Sequence, residues 1–179
     1  MNDKKGPGGK KDKRVEQDVI YFKQDETLPT AIIVDIDGTV ALINGRSPFD
    51  ATKWHEDVPH KPIINLIGAA MYGLAQSVKK LPTVIFMTGR EGGEKNRQKT
   101  LDWLYKHTPF VGVPHESYEL HMRAPDDYRG DVDVKREMFE KHVKNKYNVL
   151  WVFEDRDKMV NFWRNELQLP TLQVKDGDY

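Results

Sequence analysis

Two carboxylates, Asp35 and Asp37, stand two residues apart where the apolar run Ala31-Ile-Ile-Val34 ends, and Gly38 and Thr39 follow them. Four apolar, mostly β-branched residues read as a buried strand, so charge is placed at a strand's exit. In an open parallel sheet, ligands bind beyond the carboxyl ends of the strands, and that exit is where chemistry is expected. Strand alternation predicts both carboxylates on one side, close enough to share a cation and a substrate group. Gly38 lets the backbone turn away sharply, and Thr39 can hydrogen-bond the loop it enters.

These residue types suit phosphoryl transfer, which needs an in-line nucleophile, positive charge for the phosphoryl oxygens and a proton for the leaving alkoxide. Asp35 can attack phosphorus to form an aspartyl-phosphate; Asp37 can protonate the leaving oxygen and later deprotonate the hydrolytic water. Thr88 and the N–H groups beside it can hold phosphate oxygens, Gly89 permits the approach, and Lys135 offers a cation that bridges phosphate and Asp35. A hard divalent ion, Mg²⁺, is expected to screen the repulsion between anionic nucleophile and anionic phosphate. Its expected ligands are the Asp35 and Asp155 side chains and the Asp37 backbone carbonyl, with Glu154 directly or through water.

Three apolar runs must position these groups. Ala31–Val34 ends at Asp35 and Asp37, Val84–Met87 at Thr88 and Arg90, and Val149–Phe153 at Glu154 and Asp155. Between them, apolar periodicity predicts helices from Pro62 to about Leu81 with Leu66 on the inner face, from Lys95 to His107 with Leu101, Leu104 and Tyr105, and from Val132 to Tyr147 with His142 turned inward. A last helix, Lys158 to Leu167, leads through Pro170 to a strand at Thr171–Val174. Val111–Pro114 and Glu119–Met122 are ambiguous segments that add a strand, Val19–Phe22 is an edge strand or strap, and Arg123–Asp131 is a loop. Alternating strands and helices argue for an α/β fold, a Rossmann-like, mostly parallel sheet with helices on both faces. Parallel strands bring the three polar exits to one edge.

Asp35-x-Asp-Gly-Thr39, then Thr88, Lys135 and the Glu154-Asp155 pair, in that order, resemble the motifs of the haloacid dehalogenase (HAD) superfamily of phosphotransferases. About two dozen residues separate Thr39 from Pro62, too few to bury a core of their own, so the cap is minimal and the site open to large substrates. A closer resemblance covers about residues 29 to 179. Asn44-Gly-Arg46-x-Pro-Phe-Asp50, Thr88-Gly-Arg90-Glu-x-Gly, Asp131-x-x-x-Lys135-x-x-x-Phe139-x-Lys-His142, Glu154-Asp-Arg156, Trp163-Arg164 and the final Gln173-Val-x-x-Gly177-Asp-Tyr179 look like the phosphatase domain of bacteriophage-type polynucleotide kinase/3′-phosphatases.

That resemblance implies hydrolysis of a 3′-phosphate, with a 2′,3′-cyclic phosphate as a further substrate, at DNA or RNA ends. It gives roles to Arg46, Arg90, Asp131 and Lys135, and it implies a separate kinase or ligase as partner. The sequence departs from the pattern at Glu154, where the family has Asp, and at Thr88, where it has Ser. No Gly-x-x-x-x-Gly-Lys-Ser/Thr occurs, so kinase activity is expected to be absent. Two other functions compete: a phosphatase of nucleotides or other small phosphoesters, and a non-catalytic scaffold that binds ends.

Composition narrows the classes further. The chain has 179 residues, 38% of them hydrophobic and 31% charged, which fits one well-buried core. No apolar run reaches a membrane span and no signal-peptide block opens the chain, so a cytosolic protein is expected, in the host cytoplasm if a phage encodes it. There is no cysteine, which excludes disulfides and thiolate zinc sites, and none of the six histidines (55, 60, 107, 115, 121 and 142) has metal-site spacing. The net charge is zero, yet six basic residues against two acidic ones make residues 1–14 +4. Residues 1–16 are expected to be a disordered basic tail that either touches nucleic acid or is merely solvated, and residues 17–179 the phosphatase domain.

Overall fold

A computed structural model of the chain describes residues 24–78, 81–111 and 118–177. The basic tail, Val19–Phe22, residues 112–117 and the last two residues therefore lie outside the described residues.

The strand that ends at Asp35 is central. Strand β1 (Thr30–Val34) is followed by a short antiparallel pair, β2 (Ala41–Leu42) and β3 (Val58–Pro59), then by helix α1 (Lys61–Val78), β4 (Thr83–Glu91), α2 (Glu94–His107), β5 (Tyr118–Arg123), α3 (Asp131–His142), β6 (Asn148–Glu154), α4 (Asp157–Asn161) and β7 (Thr171–Gln173). The main sheet has the order β5-β4-β1-β6-β7 with parallel neighbours throughout. Alternation along β1 divides the core. Ile32 and Val34 pack with Val84, Phe86, α1 and α2 on one face. Ala31 and Ile33 pack with Ile85, Met87, α3 and α4 on the other. Strands buried on both faces read as continuous apolar runs, and these do.

Helix limits and faces differ in places from the periodicity. Leu66, expected inside α1, is 47% exposed, and Tyr105 of α2 is 43% exposed. The buried stripe of α2 runs instead through Thr100, Trp103 and Leu104, and Trp103 donates from Nε1 to the Asp57 carbonyl at 3.0 Å. A tryptophan that reaches a carbonyl sets the helix's rotation more strongly than a tyrosine able to keep its hydroxyl wet. Helix α3 stops at His142, five residues early, because the chain turns through Asn145 at φ 60°. His142 is half-buried rather than in the core. The last helix widens after Asn161 into a π turn over Phe162–Glu166, with Leu167 N–H bonded to the Phe162 carbonyl at 3.2 Å. No described helix is long and apolar enough to cross a membrane.

Strand β4 runs past Met87 to Glu91. Its pairing with β5 advances from Thr88↔Met122 to Glu91↔Arg123, so Gly89 and Arg90 are extra residues opposite one step of the partner. A bulge of this kind bends a strand and re-aims its side chains.

Candidate active site

The ends of β1, β4 and β6 and the first turns of α3 surround a cleft of 740 Å³. Asp35, Asp37, Thr88, Gly89, Arg90, Asp131, Lys135 and Glu154 all line it. Arg46 and Asp155 are buried in contact with this set. The sequence placed Asp35, Asp37, Thr88, Arg90, Glu154 and Asp155 at one sheet edge, and the fold brings Arg46, Asp131 and Lys135 to them.

Three buried carboxylates, Asp35, Glu154 and Asp155, offer ligand oxygens within 4.8 Å of one another. Lys135 is the cation among them. Its ammonium donates to Asp35 Oδ1 at 2.6 Å and to Glu154 Oε2 at 2.8 Å. Burial works against that charge, but the Asp35 and Glu154 carboxylates outweigh it and hold the lysine pKa above its ordinary range. Burial pushes the Asp35 carboxyl well above the usual carboxylate range, and the charges of Glu154 and Asp155 add to this against the pull of Lys135. Glu154 is braced further by Trp163 Nε1 at 3.4 Å from the π turn. Thr39 Oγ1 donates to Asp155 Oδ1 at 3.3 Å. A Cβ at Gly38, where φ is +90°, would lie 1.9 Å from Asp155 Oδ2, so only glycine lets this turn approach the carboxylate.

The donor set fits a hard divalent cation. All three side chains offer oxygen, they are buried, and their ligand atoms lie close enough to converge on one ion. Asp37 differs from its expected setting. β1 ends at Val34, and the Asp37 carboxylate does not join the acidic cluster. Arg46 Nη2 donates to Asp37 Oδ1 at 2.7 Å, and Arg90 reaches both oxygens from Nε and Nη2 at 2.8 Å each. Any metal contact of Asp37 is left to its backbone carbonyl.

Behind Asp37 sits a residue that the sequence did not single out. Asp57 is buried and accepts from Arg46 Nε at 2.7 Å, Arg46 Nη2 at 2.6 Å and Arg90 Nη2 at 2.8 Å. Two arginines and two aspartates thus form one network, and the Arg90 guanidinium also lies over the Trp54 ring, 4.7 Å from its centroid. Arg90 Nη1 is buried with no hydrogen-bond partner among the described residues, an unspent donor beside the cleft. Asp131 is gripped by Arg123 and Arg156. A Cβ on Gly89 would come within 2.8 Å of Asp131 Oδ1. Thr88 is buried, and its hydroxyl accepts from Arg90 N–H at 3.2 Å across the bulge.

The family model of the polynucleotide kinase PNKP phosphatase domain matches residues 29–179. The chain belongs to this family. As a member of the PNKP phosphatase family, it is 31% identical over 159 residues to a protein of Autographa californica nuclear polyhedrosis virus provisionally named a bifunctional polynucleotide kinase/RNA ligase, a match that takes in 89% of this chain and 21% of the relative. Two solved structures, titled as the Pnkp1/Rnl/Hen1 complex and the Pnkp1/Rnl/Hen1 RNA repair complex, contain chains 34% identical to this one. The first superposes with a TM-score of 0.74 and the second with 0.73, each over 92% of this chain. The chain spans a fifth of the viral relative and about half of the solved chains, 52% and 48% of their lengths. This family member therefore has the HAD-type phosphatase fold, with the motif residues of the sequence gathered at one cleft.

Proposed function

We propose that this chain is a Mg²⁺-dependent polynucleotide 3′-phosphatase that works through an aspartyl-phosphate. Asp35 attacks phosphorus in line, the Asp35 oxygen–phosphorus bond forms, and the bond from phosphorus to the 3′-oxygen breaks. Asp37 gives its proton to that leaving oxygen. It then takes a proton from water, whose oxygen displaces the Asp35 carboxylate and releases phosphate.

The arginines hold Asp37 still through this exchange, and Lys135 keeps one oxygen of Asp35 in place. Thr88, Gly89 N–H and the spare Arg90 donor suit phosphoryl oxygens, and Asp131 fixes the wall of the cleft through Arg123 and Arg156. Asp35 and Asp155, the Asp37 carbonyl, and Glu154 directly or through water would hold the magnesium ion, whose charge offsets the repulsion between carboxylate and phosphate.

The observation that carries this reading is the pairing of unlike settings. One aspartate lies among acids and a lysine and its neighbour lies in an arginine cage, both at one cleft, in a chain of the polynucleotide phosphatase family. The RNA repair title of a relative supports including RNA ends among the substrates, with a 2′,3′-cyclic phosphate as the further substrate the family resemblance implies, and the relatives' names support a ligase or kinase among the partners. The catalytic assignment argues against a scaffold, which needs none of it.

The test is phosphate release in Mg²⁺ from a 3′-phosphorylated oligonucleotide and from a 3′-mononucleotide, with Asp35→Asn and EDTA as controls. Efficient release from the oligonucleotide, lost in both controls, is the expected result. Turnover of the mononucleotide alone would make the protein a small-phosphoester phosphatase, and none on either would make it a scaffold.

A further inference from the structure

Seven large apolar or aromatic side chains are exposed among the described residues. The two most exposed, Phe49 at 93% and Tyr128 at 91%, both line the cleft that holds Asp35. One such residue on a surface is ordinary. Two lining a single cleft, from separate loops, are not, and neither ring buries enough area to help the fold.

Both loops are held rigid, and in the same way. Arg46 donates from Nη1 to the carbonyls of Ser47 at 3.0 Å and Pro48 at 3.1 Å, just before Phe49. Asp50 N–H closes the turn on the Ser47 carbonyl at 3.0 Å. Arg123 donates from Nη1 to the carbonyls of Asp127 at 3.0 Å and Arg129 at 2.6 Å, on either side of Tyr128. The same two arginines grip Asp37 and Asp131. Each ring is thereby carried on a loop tied to a carboxylate of the site.

The cleft, at 740 Å³, falls within the range of about 300–1,000 Å³ that accommodates a ligand of several rings. A phosphoryl group needs only its charged floor. Flat π faces at an otherwise wet rim suit flat heterocycles, and stacking on them tolerates any base.

We propose that Phe49 and Tyr128 are the nucleobase platform of this site, stacking the bases next to the scissile phosphate without reading their identity. The proposal rests on the polynucleotide phosphatase reading above and adds how the polymer is recognised. Rigid presentation lowers the ordering cost of binding, so the rings contribute affinity and leave the chemical step alone.

The direct test uses Asp35→Asn protein and a 3′-phosphorylated oligonucleotide whose last base is 2-aminopurine, a fluorophore quenched by stacking. Binding should quench it. Adding Phe49→Ala and Tyr128→Ala should remove the quench and raise Kd about 5- to 150-fold, while Phe49→Trp with Tyr128→Phe keeps both. In the otherwise wild-type protein, the double alanine variant should raise KM for the oligonucleotide by a similar factor with kcat unchanged. It should leave turnover of glycerol 2-phosphate, which has no base, as it was.

An unchanged quench and Kd in the alanine variant would overturn the platform, as would equal losses on both phosphoesters. Absence of phosphate release by the wild-type protein would instead remove the catalytic reading, and that result comes from a different sample from the quench.

Discussion

Around Asp35 the protein gathers acids, and around Asp37, two residues on, it gathers arginines. The first region is built from strand ends and α3, with Glu154, Asp155 and Lys135 packed into the sheet's edge. The second is built from the flap between β2 and β3 and from the bulge of β4, with Asp57 as the hub. In the acidic region one ammonium is shared between Asp35 and Glu154, whereas in the arginine region two guanidiniums meet two carboxylates. The two settings hold their carboxylates differently: Lys135 fixes one oxygen of Asp35, the proposed nucleophile, and two guanidiniums orient Asp37, the proposed proton carrier.

The comparison can be broken most sharply at Asp35. Asp35→Asn removes the nucleophile, and turnover of a 3′-phosphorylated oligonucleotide should fall on the order of 10⁴-fold, with the circular dichroism spectrum unchanged. Asp37→Asn should cost about 10²- to 10⁴-fold in kcat, the range of a general acid–base group. Rapid-quench measurements should show both formation and decay of the aspartyl-phosphate slowed. A variant that still formed the intermediate at the wild-type rate would move the acid role elsewhere.

Lys135→Met leaves the buried Asp35 and Glu154 without the cation they share. Removing one partner of a buried pair costs about 3–5 kcal/mol, and at about 2–4 °C per kcal/mol for a chain of this size the melting temperature should fall visibly. Added Mg²⁺ should restore part of that loss if the acidic cluster binds it, which calorimetry can read without any assay of activity.

Asp57→Asn is expected to have the smallest effect, about 10- to 100-fold in kcat, the usual scale for a residue that orients a functional group. The variant with both Asp37→Asn and Asp57→Asn should be no slower than Asp37→Asn alone, because Asp57 acts only through the arginines that hold Asp37. Additive losses would show that Asp57 has a role of its own.

The acidic region was legible in the sequence and the hub of the arginine region was not. Asp35, Glu154 and Asp155 each follow an apolar run of β-branched or aromatic residues, so strand pattern and carboxylate arrive together. Lys135 was placed by its position in a helix and by motif order. Asp57 has no such marker. It lies in Trp54-His-Glu-Asp-Val-Pro59, a polar stretch without periodicity, and its partners are 11 and 33 residues away. Arg46 was reached only through the family resemblance for the same reason, and the fold buries it. Long-range ion pairs leave no local pattern, whereas strands and helices do. Tyr105 and Leu66 went astray differently: their spacing was helical, but the rotation of each helix was decided by the residues it turns into the core, Trp103 and Leu104 in α2 and Ile64 and Ile67 in α1.

The bulge in β4 makes part of this site separable from its scaffold. Gly89 and Arg90 are inserted as a pair opposite one step of β5, and an even insertion keeps the inside-outside alternation on either side of it. Loss of both residues together would let Thr88 run straight into Glu91 with the ladder's parity intact. The sheet would survive and Asp37 would lose one of its two guanidiniums. Loss of a single residue would exchange inner and outer faces from that point on. Length variation at this place in the chain therefore comes in two kinds, one that retires the chemistry and spares the fold, and one that scrambles the strand.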